Sequence, residues 1–322
     1  MANELFEIKP VADGVYAAVA APAYKVNSNA AIIVNEDGVV VIDSHSKPSA
    51  ARALVEQIKG MTSKPVRHVI NTHFHWDHWQ GNEVYPGTYG NVEVITTEIT
   101  REALRGKGLQ RIQEHIRDVP EEIKQLQAAV AAATNPQEKA RIASDLRQAE
   151  AYLAEMKGLN PVLPTLTFEH SMRLLKTDRE IQLLHLGRAH TEGDLFVYLP
   201  KEKVVITGDA VIGWAPFMGD GYPLDWVPTL RRLEELDFTH MIMGHGEVAG
   251  RDWLRLFQGY ITDLIAAVRR HAAAGISLDE IKRRVPEEMA ATYETPLSQF
   301  SDYRPWRRQV LGNIEHVYAA VR

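Results

Sequence analysis

The chain has 322 residues and no cysteine, so disulfide frameworks and thiolate metal sites are excluded. With 45% hydrophobic and 24% charged residues it has the composition of an ordinary globular protein, and its apolar runs are too short to span a bilayer. The formal net charge of −6 argues against nucleic acid as a partner. Metal, if bound, must be held by histidine and carboxylate.

The N-terminal sequence MANELFEIKP has neither a basic region nor an apolar segment of the kind found in secretory signals. We therefore expect a cytoplasmic protein. A periplasmic location is the alternative, for a chain from which a signal peptide has been removed.

The first 98 residues alternate short apolar runs with turns. GVYAAVA, AAIIV and VVVIDS read as buried strands, with the turn NEDG between the last two. A helix is predicted to start near Pro48 and to end at Gly60 in a left-handed cap. Its apolar face carries Ala51, Leu54, Val55 and Ile58. The next strand, VRHVINT, leads into a cluster of histidines.

Residues 100–158 are rich in Ala, Glu, Gln, Arg and Lys, and their apolar positions recur at alternating spacings of four and three, which predicts a helical hairpin. The two seams are Ile112, Ile116, Val119, Ile123, Leu126, Val130 and Ala133, then Ile142, Leu146, Ala149, Leu153 and Met156. Asn135, Pro136 and Glu138 form a helix-start signature. Pro120 predicts a break or kink, with proline opening a restarted helix.

Three roles are open for this hairpin: a lid, a dimer arm, or a decoration that only packs on itself. Its Ala-rich arms leave apolar edges to cover, so a homodimer is one expectation.

After the exit NPVLPTLTF, strand patterns return in EIQLLHLG, DLFVYLP, KVVITGD and HMIMGHG, with one helix at about residues 229–236. Beyond Gly250 the pattern is helical, at about residues 253–274, 278–284 and 303–321. The predicted division is residues 1–98 with 162–250 as a catalytic domain, 99–161 as the hairpin insertion, and 251–322 as a C-terminal helical extension.

The segment NTHFHWDHWQGN, residues 71–82, crowds three histidines and an aspartate between His73 and His78. Three later segments each place a candidate ligand at the end of a predicted strand: GRAHTEGD with His190, ITGDA with Asp209, and MGHGE with His245. Ligand sites in open α/β architectures gather at strand ends, so these segments can converge. Seven such ligands suit two metal ions.

HFHWDH fits the H-x-H-x-D-H motif of the metallo-β-lactamase superfamily, and the later His, Asp and His follow in the superfamily's order. The resemblance covers about residues 10–98 and 162–250. It implies an α/β fold, a four-layer αββα sandwich of two mixed β-sheets, with the hairpin insertion and the C-terminal helices added to it.

The resemblance also implies two groups of zinc ligands with one bridging carboxylate: His73, His75 and His190; Asp77, His78 and His245; and Asp209 between them. Nitrogen and oxygen ligands suit Zn²⁺ and are also acceptable to iron or manganese. Two such ions supply a bridging hydroxide and polarise a substrate. Asp77 and Asp209 are the catalytic candidates, and the net positive centre favours a small anionic or acyl substrate.

Acidic residues outside the ligand set are expected to orient ligand imidazoles through their far nitrogens. Asp43 and Asp194 are the two candidates, and for Asp194 a simple turn role is the alternative. His45 stands where a small residue is expected, so it either reaches the pocket or faces solvent.

The loop GWAPFMGDGYPLDW, residues 213–226, is expected to form a wall of the pocket. The candidates for substrate contact are Trp214, Phe217, Met218 and Tyr222 from this loop, with Trp76 and Trp79 beside the metals. The alternative is that most of them pack under the loop as a small core.

The bridging aspartate separates subgroups, because enzymes resembling glyoxalase II and the metal-dependent lactonases keep it, whereas true metallo-β-lactamases typically carry cysteine or another residue there. The predicted function is a dinuclear zinc hydrolase that attacks a strained or activated acyl bond in a lactone, β-lactam or thioester. Two alternatives stay open: a non-haem iron oxidoreductase on the same fold, and a non-catalytic interaction module built on the hairpin.

Overall fold

Two mixed β-sheets lie face to face at the centre of the protein. The computed structural model describes residues 5–21, 28–298 and 306–322. The first sheet has seven strands in chain order: β1 Phe6–Ala12, β2 Val15–Ala20, β3 Ala30–Asn35, β4 Gly38–Ile42, β5 Val66–Ile70, β6 Glu93–Thr97 and β7 Leu166–Phe168. Strands β1 to β4 pair antiparallel, and β4 to β7 pair parallel.

The second sheet has five strands in the spatial order β12, β11, β10, β9, β8. Their bounds are β8 Ser171–Leu175, β9 Glu180–Leu184, β10 Phe196–Leu199, β11 Val204–Gly208 and β12 His240–Met243. Only β11 and β12 pair parallel. Apolar side chains of both sheets meet between them, including Ile33, Val40 and Ile70 from the first and Leu183, Val197 and Ile206 from the second.

Helices cover the outer face of each sheet. The helices are α1 Pro48–Met61, α2 Trp76–Trp79, α3 Val84–Tyr89, α4 Glu98–Ala103, α5 Leu109–Ala132, α6 Pro136–Gly158, α7 Pro223–Glu234, α8 Arg251–Ala273, α9 Leu278–Tyr293 and α10 Trp306–Val321. Helices α1 and α3 pack on the first sheet, and α7 to α10 pack on the second. The predicted four-layer αββα sandwich is therefore confirmed.

The predicted hairpin is formed by α5 and α6, which follow α4 and one π-helical turn at Leu104–Gly108. The side chain of Asn135 accepts hydrogen bonds from the backbone N–H groups of Gln137 and Glu138, as its helix-start signature predicts. The predicted break at Pro120 is wrong, because α5 runs through it. Packing of the neighbouring Val119 against α6 compensates for the hydrogen bond that proline removes.

A carboxylate anchors the hairpin to helix α1. Glu155 of α6 accepts hydrogen bonds from the backbone N–H and the hydroxyl of Ser49, at 2.8 and 2.7 Å. Ser49 lies in the first turn of α1, where backbone N–H groups have no helical partner and negative charge is favourable. The hairpin is therefore fastened to the sandwich at a defined point.

Several helix ends differ from their predicted positions. Helix α1 continues past Gly60 to Met61 and has no left-handed residue at its end. Helix α7 starts at Pro223, so the predicted wall loop ends at Tyr222, and α9 runs through Pro286 to Tyr293. The predicted start of the last helix at residue 303 lies outside the described residues.

No helix in the described ranges is both long enough and apolar enough to cross a bilayer. The division into three domains stays a prediction.

Candidate metal centre

The predicted ligands converge at one edge of the sandwich. His73 and His75 lie in the loop after β5, while Asp77 and His78 lie on the short helix α2 that follows it. Asp209 follows β11 directly, His245 comes two residues after β12, and His190 lies in the loop between β9 and β10. The carboxyl ends of strands from both sheets thus bring the segments together, as expected for α/β architectures.

The ligand atoms form two tight groups. Within each group these atoms lie within 4.8 Å of one another: His73, His75, His190 and Asp209 in the first, and Asp77, His78 and His245 in the second.

Asp209 contacts members of both groups. Its Oδ1 is 3.3 Å from Nε2 of His78, and its Oδ2 is 3.3 Å from Nε2 of His245 and 3.6 Å from Nε2 of His190. Its carboxylate therefore lies between the two groups, where a bridging ligand must be.

The centre has the polar atoms that a pair of cations needs. Nε2 of His73 is buried without a hydrogen-bond partner among the described residues, and Nε2 of His78 and Oδ1 of Asp209 lie 3.3 Å apart without the geometry of a hydrogen bond. Such atoms cost free energy unless something else satisfies them. Nδ1 of His75 and Nε2 of His190 also face each other at 2.8 Å. Imidazole nitrogens and carboxylate oxygens suit Zn²⁺, so the residues fit the implied metals.

The charges of the centre favour ligation. Burial lowers the pKa of His190 to about 3, with help from His75, so this imidazole is neutral. Burial opposes ionisation of Asp77, yet His78 and His245 outweigh it and lower the pKa of Asp77 to about 2. Burial likewise opposes the charged form of His245, but Asp209 and Asp77 raise its pKa to about 9. A metal ion bound here would take the place of the proton on His245.

The backbone of the histidine segment is held from two sides. The N–H of Ser44 donates to the carbonyl of His78 at 2.9 Å, and the hydroxyl of Ser28 donates to the carbonyl of Asp77 at 2.6 Å. A Cβ on Gly81 would lie 2.0 Å from the carbonyl oxygen of Ser44. Only glycine allows this close approach.

Asp43 contacts the far nitrogen of a ligand imidazole, the place that the sequence predicts for it. Its carboxylate lies 2.7 Å from Nδ1 of His78 and accepts hydrogen bonds from the N–H and the hydroxyl of Thr72. Asp43 has a φ of 62°, a backbone conformation that side chains seldom adopt. These contacts fix the orientation of His78 and leave its Nε2 for the centre.

A second carboxylate of this kind, Asp220, is not among the predicted site residues. It lies 3.0 Å from Nε2 of His75 and pairs with two cations, Arg111 of α5 and Lys107 of the π-helical turn before it. Burial opposes its ionisation, but the hydrogen bonds from His75 and Arg111 lower its pKa. No spacing in the sequence links Asp220 to His75, because the two are 145 residues apart.

Asp194 and His45 differ from their predicted orienting and pocket roles. Asp194 accepts hydrogen bonds from the N–H and the hydroxyl of Thr191, and these bonds close the turn after His190. Its side chain contacts no ligand imidazole in the described ranges. The turn role, the alternative for Asp194, therefore fits. His45 is fully buried, neither in the pocket nor facing solvent. Its ring stacks on Phe6, and Nδ1 lies 2.8 Å from the carbonyl of Ser28.

A cavity of about 500 Å³ opens over the ligands. Trp76 and Phe217, two of the predicted contacts, line it, and the carbonyl of Phe217 lies 3.0 Å from Nδ1 of His190. Tyr222 instead lines a neighbouring cavity. Trp214 packs half-buried against His245, with ring centroids 5.2 Å apart.

Two predicted contacts are wrong because the side chains are buried. Trp79 has no exposed surface and packs at the root of the hairpin, with Phe74 and Leu104. Met218 belongs to the core under the second sheet.

Five cavity residues are not among the predicted site residues. Arg111, Glu114 and His115 come from α5, and Arg308 and Gln309 come from α10. Both helices lie outside the segments that carry the metal ligands, so only the packing of the chain brings them to the site.

Comparisons with known proteins agree with this geometry. The family model described as the metallo-beta-lactamase superfamily matches residues 23–273. The chain is similar to the linear primary-alkylsulfatase of Pseudomonas sp. (strain ATCC 19151), 20% identical over 300 residues, with 87% of this chain and 52% of the relative covered. It is also similar to 2,4-dinitroanisole O-demethylase subunit alpha of Nocardioides sp. (strain JS1661), 22% identical over 285 residues, with 84% and 69% covered.

Thus the chain spans about half the length of the alkylsulfatase. Among solved structures, a metallo-beta-lactamase from Pontibacter korlensis matches with a TM-score of 0.58 and 18% identity, over 80% of this chain and 99% of that one. This likeness concerns the fold. Because the family match covers well over half of the chain and the two ligand groups are in place, the chain belongs to the metallo-β-lactamase superfamily.

Proposed function

We propose that the chain hydrolyses a sulfate ester or an activated acyl bond in a small anionic substrate, with two divalent cations held by the two ligand groups. The observation that carries this proposal is the carboxylate of Asp209, which lies within 3.6 Å of imidazoles from both groups and on the wall of the cavity. A carboxylate shared by two ligand sets suits a two-metal hydrolytic site.

When bound, two divalent cations lower the pKa of a shared water and neutralise negative charge that develops on the substrate. Side chains of the protein orient the ligands of these cations. Asp43 and Asp220 hold the imidazoles of His78 and His75 in place through their far nitrogens. Preorganised ligands of this kind need no rearrangement during the reaction.

Two features favour an anionic substrate. Arg308 lines the cavity and forms no ion pair within the part of the chain that the structure describes, so its guanidinium is available to a carboxylate, sulfate or phosphate group. Two divalent cations with two carboxylates add further positive charge. Trp76 and Phe217 supply apolar walls beside these charges, and a cavity of about 500 Å³ suits a small molecule.

Two bond classes fit this proposal. A sulfate ester is favoured by the likeness to a linear primary-alkylsulfatase across most of this chain. An acyl bond, in a lactone, β-lactam or thioester, is the second candidate, favoured by aspartate at position 209, which lactonase-like and glyoxalase II-like relatives keep. Zinc is the proposed metal, with iron or manganese as the alternatives. The cytoplasmic location, the homodimer and the absence of a nucleic-acid partner stay predictions.

A substrate panel tests the proposal. Metal-quantified protein is assayed with a nitrophenyl sulfate, a primary alkyl sulfate, several lactones, a chromogenic cephalosporin and a glutathione thioester, beside a His190→Ala control. We expect turnover of one class and its loss in the control. Protein that holds two equivalents of zinc and hydrolyses none of them contradicts the proposal, and stoichiometric iron in its place favours the oxidoreductase.

A further inference from the structure

We propose that His115 of the hairpin is a catalytic residue that donates a proton to the leaving oxygen of the substrate. This inference rests on the proposed ester hydrolysis. His115 lies on α5, outside both ligand groups, and lines the same cavity as Asp77, Asp209 and His245. The hairpin then supplies part of the chemistry, beyond packing on itself.

The second arm of the hairpin and helix α2 hold this imidazole. Nδ1 of His115 lies 2.7 Å from the hydroxyl of Tyr152, a fully buried residue of α6. The indole of Trp76 packs edge-on against both rings, with centroids 5.5 Å from His115 and 6.1 Å from Tyr152. We assign the proton transfer to Nε2, the ring nitrogen on the other side from the phenol contact. Such a contact fixes the ring and its tautomer.

The proposed reaction needs a proton donor that the metal ligands do not supply. The ligand imidazoles and carboxylates are engaged with cations in the working enzyme. Arg111 is paired with Asp220, and the guanidinium of Arg308 does not release a proton under any ordinary condition. Imidazole is the side chain whose ordinary titration lies nearest neutral pH, and it is the commonest general acid in enzymes.

The step balances as a hydrolysis. Water provides the oxygen of the new bond to the acyl carbon or the sulfur, and the bond from that atom to the leaving oxygen breaks. The electron pair of the broken bond stays on the leaving oxygen, which takes a proton from Nε2 of the protonated His115. The proton that the attacking water loses goes to solvent, and solvent returns one to His115. The products are an alcohol and an acid.

A series of leaving groups tests this role. Esters of one class with nitrophenyl, phenyl and alkyl leaving groups have leaving oxygens of increasing basicity, and only the basic ones need a proton in the transition state. The variants are His115→Gln and Tyr152→Phe, with Glu114→Gln as a matched control, since Glu114 neighbours His115 and lines the same cavity. Zinc content and melting temperature are measured for each variant.

For His115→Gln we expect kcat on the alkyl ester to fall by about 100-fold or more, the usual contribution of a general acid, with little change on the nitrophenyl ester. Tyr152→Phe should show a smaller loss in the same direction, and Glu114→Gln should affect all esters alike. Equal losses across the series at normal zinc content overturn the role of His115 and leave ester hydrolysis standing. Wild-type protein with two zinc ions and no turnover of any ester overturns both.

Discussion

The contact between Asp220 and His75 gives a sharp test of how the metal centre is held. Replacing Asp220 by Asn keeps the size of the side chain and removes its charge. In the native protein the carboxylate lies 3.0 Å from Nε2 of His75 and neutralises Arg111 and Lys107. In the Asp220→Asn variant, Arg111 and Lys107 stay positively charged near His75, and the imidazole of His75 must bind a metal cation beside them.

The size of the effect follows from the burial of this network. The side chain of Asp220 is only 10% exposed, so solvent screens its interactions weakly. Loss of a carboxylate that supports a ligand imidazole typically lowers metal affinity by about 10- to 100-fold. That corresponds to about 1.4 to 2.8 kcal/mol of binding free energy. We expect this range for the ion bound by His75.

The assay is competition of the apo protein with a zinc chelator of known affinity. Asp225→Asn is the matched control, because Asp225 lies five residues away, forms an exposed pair with Arg188 and has no ion pair with a candidate ligand in the described ranges. We expect weaker binding of one ion in Asp220→Asn and unchanged binding in the control. Equal zinc affinity in Asp220→Asn and wild type refutes the role given to this carboxylate.

Three further predictions concern the shared ligand, its neighbour and the hairpin anchor. Asp209→Ala should bind fewer than two zinc ions per chain and lose activity, and full zinc content measured by mass spectrometry contradicts its shared position. Gly244→Ala should lower zinc affinity in a chelator titration, because the new Cβ would lie 2.0 Å from Oδ1 of Asp209; unchanged affinity shows that the carboxylate has room to move. The free energy of unfolding of Glu155→Gln, measured with urea, should be about 1 kcal/mol lower than that of the wild type, because the change weakens the cap on α1. If the exposed Glu150→Gln variant loses as much stability, Glu155 does not anchor the hairpin.

The ligands could be predicted from the sequence because their signals are local. The histidine segment spans twelve residues, and the later three ligands each follow a recognisable strand. The geometry of the sheets then brings the carboxyl ends of these strands to one edge, independently of the conformations of the loops. The four-layer sandwich follows from the same patterns and from the superfamily resemblance that the motif carries.

The remaining parts of the site depend on tertiary packing. Asp220 contacts His75, and Arg111 and His115 line the cavity, through packing of distant segments that no periodicity in the sequence predicts. The position of Trp79 in the motif predicts contact with substrate, yet the hairpin root buries this side chain completely. Tertiary packing also explains Pro120: because α5 packs against α6, the helix continues through a residue that ordinarily ends a helix.

The most direct test of the central claim is the metal content of protein purified without added metal, measured by mass spectrometry on the sample whose ester hydrolysis is assayed. Two equivalents of zinc per chain, with hydrolysis of an anionic ester that disappears on chelation and returns with zinc, is the predicted result. Stoichiometric iron with no hydrolysis of any ester contradicts the account and identifies the centre as a redox site.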